Sequence, residues 1–245
     1  AFVNAYSQKL GSVQVTKVFS GLENLPEGFQ ITNSYNDTIF TEGNAASGDG
    51  STENPYTWVI ENVPVGTEVT FTESGYDAEG YNLTINGKAT SEENATKAVA
   101  KVTEEGKTAA AAFVNAYSQK LGNVQVTKVF SGIGELPESF QITNNINNTV
   151  FNVENASGKG TAEEPYTWTL ENVPDKTEVI FTERGYDVSG YEVTINQKAT
   201  TDAEAGIVKA TVVDKETVGA EFTNEYTPKE RDIEISKVDL TNNTE

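Results

Sequence analysis

Three polar residues fall on strand faces that are otherwise apolar, and the pattern occurs twice in this chain of 245 residues. Side chains alternate between the two faces of a strand, so positions i, i+2 and i+4 share one face. Lys17 therefore shares a face with Val13 and Val15. A lysine, a glutamate and an asparagine each recur in this setting, and the six residues are Lys17, Glu73, Asn115, Lys128, Glu183 and Asn224. Charges are rarely buried without partners, which makes these residues candidates for a shared site.

Buried together, these three side chains could form a covalent bond. Burial lowers the pKa of a lysine and raises that of a glutamate, so a dry pair can exist as a neutral amine and a neutral acid. The amine is then a nucleophile for the asparagine carboxamide. The acid can polarise the carbonyl and pass a proton to the departing ammonia. The predicted cross-links are isopeptide bonds from Lys17 to Asn115 and from Lys128 to Asn224, with Glu73 and Glu183 as the catalytic acids.

An alternative is that Lys17 has only a structural role. Lys17 could reach solvent at the rim of a sandwich and form an ordinary ion pair with Glu73. That ion pair would satisfy both charges, but it gives no reason for an asparagine on the same apolar faces. The predicted cross-link accounts for all three residues, and it forms only once in each molecule.

The residue types that are missing exclude several classes of function. The chain has no cysteine, histidine or methionine, so it cannot form a disulfide, a cysteine/histidine zinc site or a histidine-based triad. Its 17 basic and 37 acidic residues give a net charge of −20, which repels nucleic acid and anionic membranes. No apolar run approaches the ~20 residues of a membrane helix. We expect no enzyme with repeated turnover, no cofactor and no metal.

The chain is a tandem repeat. The segment AFVNAYSQKLG at 1–11 recurs at 112–122, and PYTW at 55–58 recurs at 165–168. A period this long indicates an array of domains and not a solenoid of short units. The predicted divisions are a remnant of a preceding repeat (1–6), repeat 1 (7–117), repeat 2 (118–227) and the start of a following domain (228–245).

Short segments of alternating apolar and polar residues predict strands, and no convincing amphipathic helix is found. In repeat 1 the predicted strands lie near 13–19, 28–33, 56–62, 67–73, 81–85, 98–103 and 111–117. About seven short strands in about 110 residues are typical of an all-β sandwich of immunoglobulin size. Only six residues separate Tyr117 from Val124, which predicts sandwiches held end to end in a stiff rod.

The order and spacing of the motifs resemble the Cna B-type domains of Gram-positive surface proteins and, as a close second, the backbone pilins with the same bond. VQVTKVFSG is similar to the family's first-strand lysine motif, FTESGYDAEGY and FTERGYDVSGY to its E-T-x-A-P-x-G-Y motif, and FVNAY and FTNEY to its terminal asparagine strand. The resemblance implies a prealbumin-like, inverse-immunoglobulin sandwich that is cross-linked by lysine and asparagine with an assisting acid. The chain departs from the pattern because Gly-Tyr-Asp replaces Ala-Pro and because its units are longer.

The favoured hypothesis is a structural spacer. Near-copies in series suit the stalk of an extracellular, cell-wall-anchored adhesin or pilus-like protein, with anchor and signal outside this segment. The expected partners are neighbouring repeats of the same chain, without nucleic acid or membrane contact, and we expect a monomer. The alternative is an adhesive module whose loops bind a host matrix protein or glycan, with the repeats adding avidity. Loops that differ between the repeats, 33–54 against 144–164, favour the stalk.

Four other residues were weighed for function. Asp49 lies in a loop that resembles a calcium-binding loop, but Lys159 occupies the equivalent position in repeat 2, which a cation site would not accept. Asn4 and Lys237 match the asparagine and lysine positions in the two end segments. We expect neither of these two to be cross-linked within this chain.

Overall fold

The computed structural model describes residues 2–230, and its regular structure is nearly all β. The chain divides into two compact units between Lys120 and Leu121. The strands of the first unit are β1 (Leu10–Ser20), β2 (Gln30–Asn33), β3 (Tyr56–Pro64), β4 (Glu68–Ser74), β5 (Tyr81–Ile85), β6 (Lys88–Ala89), β7 (Lys97–Lys101) and β8 (Thr108–Gln119). Those of the second are β9 (Leu121–Ser131), β10 (Gln141–Asn144), β11 (Tyr166–Pro174), β12 (Glu178–Arg184), β13 (Tyr191–Ile195), β14 (Lys198–Ala199), β15 (Ile207–Thr211) and β16 (Thr217–Pro228).

Each unit contains a five-stranded and a three-stranded sheet. In the first unit the strand orders are β3-β1-β8-β5-β6 and β2-β4-β7. The second unit repeats this arrangement as β11-β9-β16-β13-β14 and β10-β12-β15. The first and last long strands are therefore neighbours in the same sheet, and they run parallel in both units.

The apolar faces of the two sheets form one core in each unit. In the first unit the five-stranded sheet contributes Val13, Val15, Trp58, Ile60 and Phe113, and the three-stranded sheet contributes Ile31, Val69, Phe71 and Ala100. Burying each large apolar side chain stabilises the fold by roughly 1.5–3 kcal/mol. Buried and exposed side chains alternate along β8, as expected for a strand with one face in the core.

The predicted all-β sandwich is confirmed. Each of the seven strands predicted for repeat 1 is present, with β8 starting three residues earlier and ending two residues later than predicted. The two-residue strand β6 was missed. It pairs with β5 across Asn86 and Gly87, which have φ angles of 50° and 77°. An Asn-Gly pair with two positive φ angles is the preferred two-residue hairpin turn.

A tryptophan in each core is held by a short 3-10 turn. Trp58 Nε1 donates to the backbone oxygen of Thr41 at 3.1 Å and to Asn44 Oδ1 at 2.9 Å. Its ring stacks on Phe40 with the centroids 5.8 Å apart. Trp168 is held in the same way in the second unit, so both tryptophans are core residues.

Residues 2–230 contain no helix with the length and apolar character needed to span a bilayer.

Candidate cross-linking site

The structure brings the three predicted residues of repeat 1 together inside the sandwich. Lys17 lies on β1 and Asn115 on the neighbouring strand β8, while Glu73 lies on β4 of the facing sheet. The exposed fractions of these residues are 0%, 0% and 2%. The parallel register pairs Lys17 with Phe113 and Asn115 with Phe19, so the lysine and the asparagine are offset by two positions on one face.

One carboxylate oxygen joins the lysine and the asparagine. Lys17 Nζ donates to Glu73 Oε1 at 2.7 Å. Asn115 Nδ2 donates to the same Oε1 atom. The nucleophile and the leaving nitrogen of the predicted reaction therefore share one acceptor.

Repeat 2 contains the same arrangement. Lys128 Nζ donates to Glu183 at 2.8 Å from Oε1 and 3.0 Å from Oε2. Asn224 Nδ2 donates to Glu183 Oε1 at 2.5 Å. These residues lie on β9, β12 and β16, the counterparts of β1, β4 and β8, and all three are buried.

Aromatic rings surround the lysine nitrogen. In repeat 1 Lys17 Nζ lies 4.5 Å from the centroid of Phe19, 5.3 Å from that of Phe29 and 5.9 Å from that of Phe113. The corresponding distances from Lys128 to three phenylalanines are 4.7, 5.5 and 5.8 Å. The rings exclude water and leave the glutamate as the polar partner of the ammonium group.

The buried surroundings favour the neutral forms of both the lysine and the glutamate, because they lower the pKa of the first and raise that of the second. Burial lowers the pKa of Lys17 to about 8, against the opposing attraction of Glu73. Burial raises the pKa of Glu73, opposed by the charge of Lys17 and by the hydrogen bonds from Lys17 and Asn115. The pKa of Lys128 is likewise lowered to about 8, and that of Glu183 is raised, both chiefly by burial. A neutral amine therefore becomes accessible close to neutral pH.

Three buried oxygen atoms at these sites have no hydrogen-bond partner among residues 2–230: Glu73 Oε2, Asn115 Oδ1 and Asn224 Oδ1. An unpaired buried acceptor costs about 1–3 kcal/mol. A packed structural core does not usually leave such groups unpaired, whereas sites of chemistry often do.

Two tyrosines at these sites were not assigned a role from the sequence. Tyr117 Oη lies 3.5 Å from Asn115 Nδ2 and donates to the backbone oxygen of Tyr76 at 2.6 Å. Tyr226 takes the corresponding place and donates to the backbone oxygen of Tyr186 at 2.8 Å. Their parity in the strand placed them on the inward face. Their acceptors are backbone carbonyls contributed by a distant loop, which a sequence pattern does not identify.

A bracket formed by one asparagine side chain was also missed. Asn86 Nδ2 donates to the backbone oxygen of Ala112 at 3.0 Å, and Asn86 Oδ1 accepts from the backbone nitrogen of Val114 at 2.8 Å. Asn196 makes the same two contacts to β16. The bracket extends the ladder between β5 and β8 past its last strand pair and holds the segment that carries Asn115.

Asp49 is an exposed loop residue with hydrogen-bond partners of its own. The carboxylate of Asp49 accepts hydrogen bonds from the backbone of Ser51 and the side chain of Asn54. Residues 2–230 contain no cluster of three or more acidic, histidine or cysteine side chains placed to hold a metal ion. Asn4 lies in an exposed segment before β1, whereas Lys237 is outside the described residues.

Comparison with protein families identifies a match in the first half of the chain. Residues 13–118 match a family described as a domain of unknown function (DUF5979). The matched range falls within the first compact unit and amounts to less than half of the chain. A search of curated protein sequences finds no match.

Solved structures with a similar fold include a Bacillus anthracis protein and two streptococcal pilins. The Bacillus anthracis TIE protein is 16% identical over 89% of this chain, with a TM-score of 0.34, and the chain spans only 34% of its length. The major pilin of Streptococcus pyogenes is 15% identical over 90% of this chain and 99% of the pilin, with a TM-score of 0.32. The minor pilin of Streptococcus agalactiae is 10% identical over 92% of this chain and 100% of the pilin, with a TM-score of 0.28.

Because the TM-scores are below 0.5, the sandwich is assigned here from the chain's own strand order and buried faces.

Proposed function

We propose that this chain is a structural segment of a cell-surface stalk, in which repeats 1 (7–117) and 2 (118–227) are each locked by an internal lysine–asparagine isopeptide bond. The observation that carries the proposal is the buried contact of a lysine and an asparagine with one glutamate oxygen, found in both repeats. An ordinary ion pair would not require the asparagine. A pair of charges buried without function is also often less stable than a well-packed apolar replacement.

The proposed reaction begins with transfer of a proton from Lys17 Nζ to Glu73, which gives a neutral amine and a neutral acid. The amine attacks Cγ of Asn115, a bond forms between Nζ and Cγ, and the carbonyl oxygen takes up negative charge. The bond from Cγ to Nδ2 then breaks. Over the two steps Nζ gives up one further proton and Nδ2 gains one, so neutral ammonia leaves and Glu73 stays in the protonated form that the first transfer produced.

The geometry supports the glutamate as a proton shuttle. Glu73 Oε1 contacts both the nitrogen that loses protons and the nitrogen that gains one, so a single atom can serve both transfers. Polarisation of the carbonyl is a second role expected from the sequence. That role requires the carboxamide oxygen, which has no partner in this arrangement, to meet the protonated acid as the charge develops.

The position of the bond explains how it would stabilise a stalk. The linked residues are 98 positions apart in repeat 1 (115 − 17) and 96 in repeat 2 (224 − 128). By the chain-entropy relation for cross-links, closing a loop of that size contributes roughly 4–5 kcal/mol. Because β1 and β8 are parallel neighbours, tension between the ends of a repeat shears this strand pair, and the bond crosses it directly.

The remaining assignments belong to the same proposal. The stalk is extracellular and cell-wall-anchored, its repeats act as spacers for an adhesive region, and its partners are other segments of the same polymer or chain. The chain acts as a monomer and performs no repeated catalysis. The acidic surface suits this role, since a net charge of −20 keeps neighbouring stalks apart.

The intact mass of the denatured chain tests the proposal. Each bond expels one ammonia, so two bonds predict a mass about 34 Da below that of the unmodified sequence. Glu73→Ala and Glu183→Ala should each restore about 17 Da, and the double variant should restore the whole deficit. Peptide sequencing should find the deficit in branched peptides that join Lys17 to Asn115 and Lys128 to Asn224. An unmodified mass for the folded chain would overturn the proposal.

A further inference from the structure

Each repeat keeps a buried tyrosine beside its asparagine, and the reaction described above does not use it. Tyr117 follows Asn115 by two residues on β8, and Tyr226 follows Asn224 by two residues on β16. Residues two apart share a strand face. The exposed fractions of the two tyrosines are 7% and 2%, so both hydroxyl groups lie in the wall of the site.

The proton of each hydroxyl group is directed away from the asparagine. Tyr117 Oη donates to the backbone oxygen of Tyr76 at 2.6 Å, and Tyr226 Oη donates to the backbone oxygen of Tyr186 at 2.8 Å. A carbonyl oxygen can only accept a hydrogen bond. The tyrosine oxygen therefore offers the asparagine only its lone pairs.

Burial keeps this arrangement fixed across the usual pH range. It raises the pKa of both Tyr117 and Tyr226 to about 12. The hydroxyl groups remain protonated at neutral pH, so they continue to donate to the carbonyl oxygens and to face the asparagines as acceptors.

A lone pair of the tyrosine oxygen distinguishes the nitrogen of the asparagine carboxamide from its oxygen. Asn115 Nδ2 lies 3.5 Å from Tyr117 Oη, and the same nitrogen donates to Glu73 Oε1. With the carboxamide turned by 180°, its oxygen would face the tyrosine oxygen with no proton between them. The turned form would also place that oxygen against Glu73 Oε1, which accepts a hydrogen bond from Nδ2 in the observed form. The tyrosine and the carboxylate thus oppose the same orientation, and the tyrosine still opposes it once the glutamate has taken up a proton.

We propose that Tyr117 and Tyr226 are positioning residues for the cross-linking reaction, which hold the leaving nitrogen of each asparagine against the shared glutamate oxygen. The inference rests on the proposed function. Its consequence is that the proton taken from the lysine can reach the leaving nitrogen without rotation of the carboxamide. Fixed orientation of this kind is a recognised source of rate in reactions between groups held in contact.

Time-resolved mass analysis of the full chain tests the proposal. The chain is made by cell-free translation, portions are quenched in acid at intervals, and peptides containing each linkage are quantified. Tyr117→Phe should slow bond formation in repeat 1 roughly five- to tenfold, the factor expected for loss of one hydrogen bond in the reactive arrangement. Repeat 2 in the same molecule serves as the internal reference, and Tyr226→Phe should reverse the pattern.

Tyr81→Phe is the matched control. The ring of Tyr81 packs edge-on against Tyr117 with the centroids 6.4 Å apart, so its substitution alters the same aromatic pair without removing the oxygen beside Asn115. A positioning role predicts that Tyr117→Phe lowers the maximum rate and leaves the midpoints of the pH–rate profile unchanged. An unchanged rate, or an equal loss with Tyr81→Phe, would overturn the inference.

A second measurement separates this inference from the proposed function. If the wild-type chain keeps its full mass, the proposed function fails, and the orientation of Asn115 can be read by NMR on that unlinked protein. Contacts between the side-chain amide protons of Asn115 and the ring protons of Tyr117, with a shift of those amide signals in Tyr117→Phe, would support the orientation. Absence of these contacts would overturn it.

Discussion

The two repeats agree in their buried site and differ in the loops between β2 and β3 and between β10 and β11. Both sites join a lysine, a glutamate and an asparagine through one carboxylate oxygen. The loops 33–54 and 144–164 have diverged in sequence, although both still supply a 3-10 turn that holds the core tryptophan. These loops thus vary between the repeats, whereas the buried site inside each sandwich is the same.

One hydrogen bond between a loop side chain and a strand backbone is present in both repeats, although the loop residue is different. In repeat 1 the backbone nitrogen of Thr70 donates to the hydroxyl group of Ser34 at 2.9 Å. In repeat 2 the corresponding nitrogen, that of Ile180, donates to the side-chain oxygen of Asn145 at 2.8 Å. The proposed cross-linking site would allow no such exchange, because the proposed reaction needs an amine, a carboxamide and a carboxylic acid.

The largest expected difference in stability between the repeats follows from preventing bond formation in one of them. Glu73→Ala should abolish the bond in repeat 1, removing roughly 4–5 kcal/mol from loop closure, and should leave Lys17 buried without its partner. Loss of one member of a buried pair costs about 3–5 kcal/mol more. Calorimetry should then show repeat 1 unfolding at a lower temperature than repeat 2. Glu183→Ala is the mirror-image control, and a single unshifted transition in both variants would contradict the prediction.

The pH dependence of bond formation should be the same in both repeats. The reactive arrangement holds one proton on the lysine–glutamate pair, as a neutral amine and a neutral acid. Above the lysine pKa of about 8 the lysine–glutamate pair loses this proton, so no acid is left in the site. The rate should then fall about tenfold per pH unit. Below the raised glutamate pKa the amine is an ammonium group and the rate should fall again. Mass analysis of acid-quenched samples should give a bell-shaped dependence of the rate of bond formation on pH. A rate that keeps rising above pH ~9 would exclude the glutamate's role as an acid.

An intermediate effect is expected at the asparagine bracket. Asn86→Ala removes two side-chain hydrogen bonds to β8 and places an alanine at φ 50°. We expect a loss of about 2–3 kcal/mol in the urea unfolding of repeat 1, measured in the Glu73→Ala background so that no bond masks it. Asn86→Gly should recover part of the loss, because glycine tolerates the positive φ angle. Equal stability of the alanine and glycine variants would show that backbone strain plays no part.

The smallest effect is expected on the surface. Lys159 and Glu164 form an ion pair in repeat 2 that is largely exposed to solvent. Lys159→Ala should change the free energy of unfolding by less than about 0.5 kcal/mol, since exposed ion pairs contribute little. Urea unfolding of repeat 2 checks this, with repeat 1 of the same chain as the reference. A loss above about 1 kcal/mol would mean that this loop supports the core.

Much of the fold could be predicted because the strands alternate so regularly. The inward positions of Lys17 and Asn115 follow from the same parity that places Val15 and Phe113 in the core, and the structure buries all four. The parallel pairing of β1 with β8 is different. It joins segments nearly a whole repeat apart, and the alternation within either strand does not identify the neighbour in the sheet. The predicted link from Lys17 to Asn115 indicates that the two strands are close, but it does not give their direction or register.

The hydrogen bonds of the tyrosine and of the turn asparagine could not be predicted, because their partners are backbone groups. Tyr117 was visible as an inward residue, but its acceptor is the backbone oxygen of Tyr76. Asn86 was not singled out from the sequence, yet its side chain reaches across to the backbone of β8. Backbone donors and acceptors are present at every residue, so which of them lie within reach is decided by tertiary packing.

The parallel placement of β1 and β8 also determines how far each repeat can be stretched. Once Lys17 and Asn115 are joined, the residues between them form a closed ring that tension cannot open. A fully extended chain spans at most about 3.3–3.6 Å per residue, so the ring removes about 330 Å of extensible length from repeat 1 and a similar length from repeat 2. Measured by its end-to-end length, a pulled molecule would therefore behave as an almost inextensible tether.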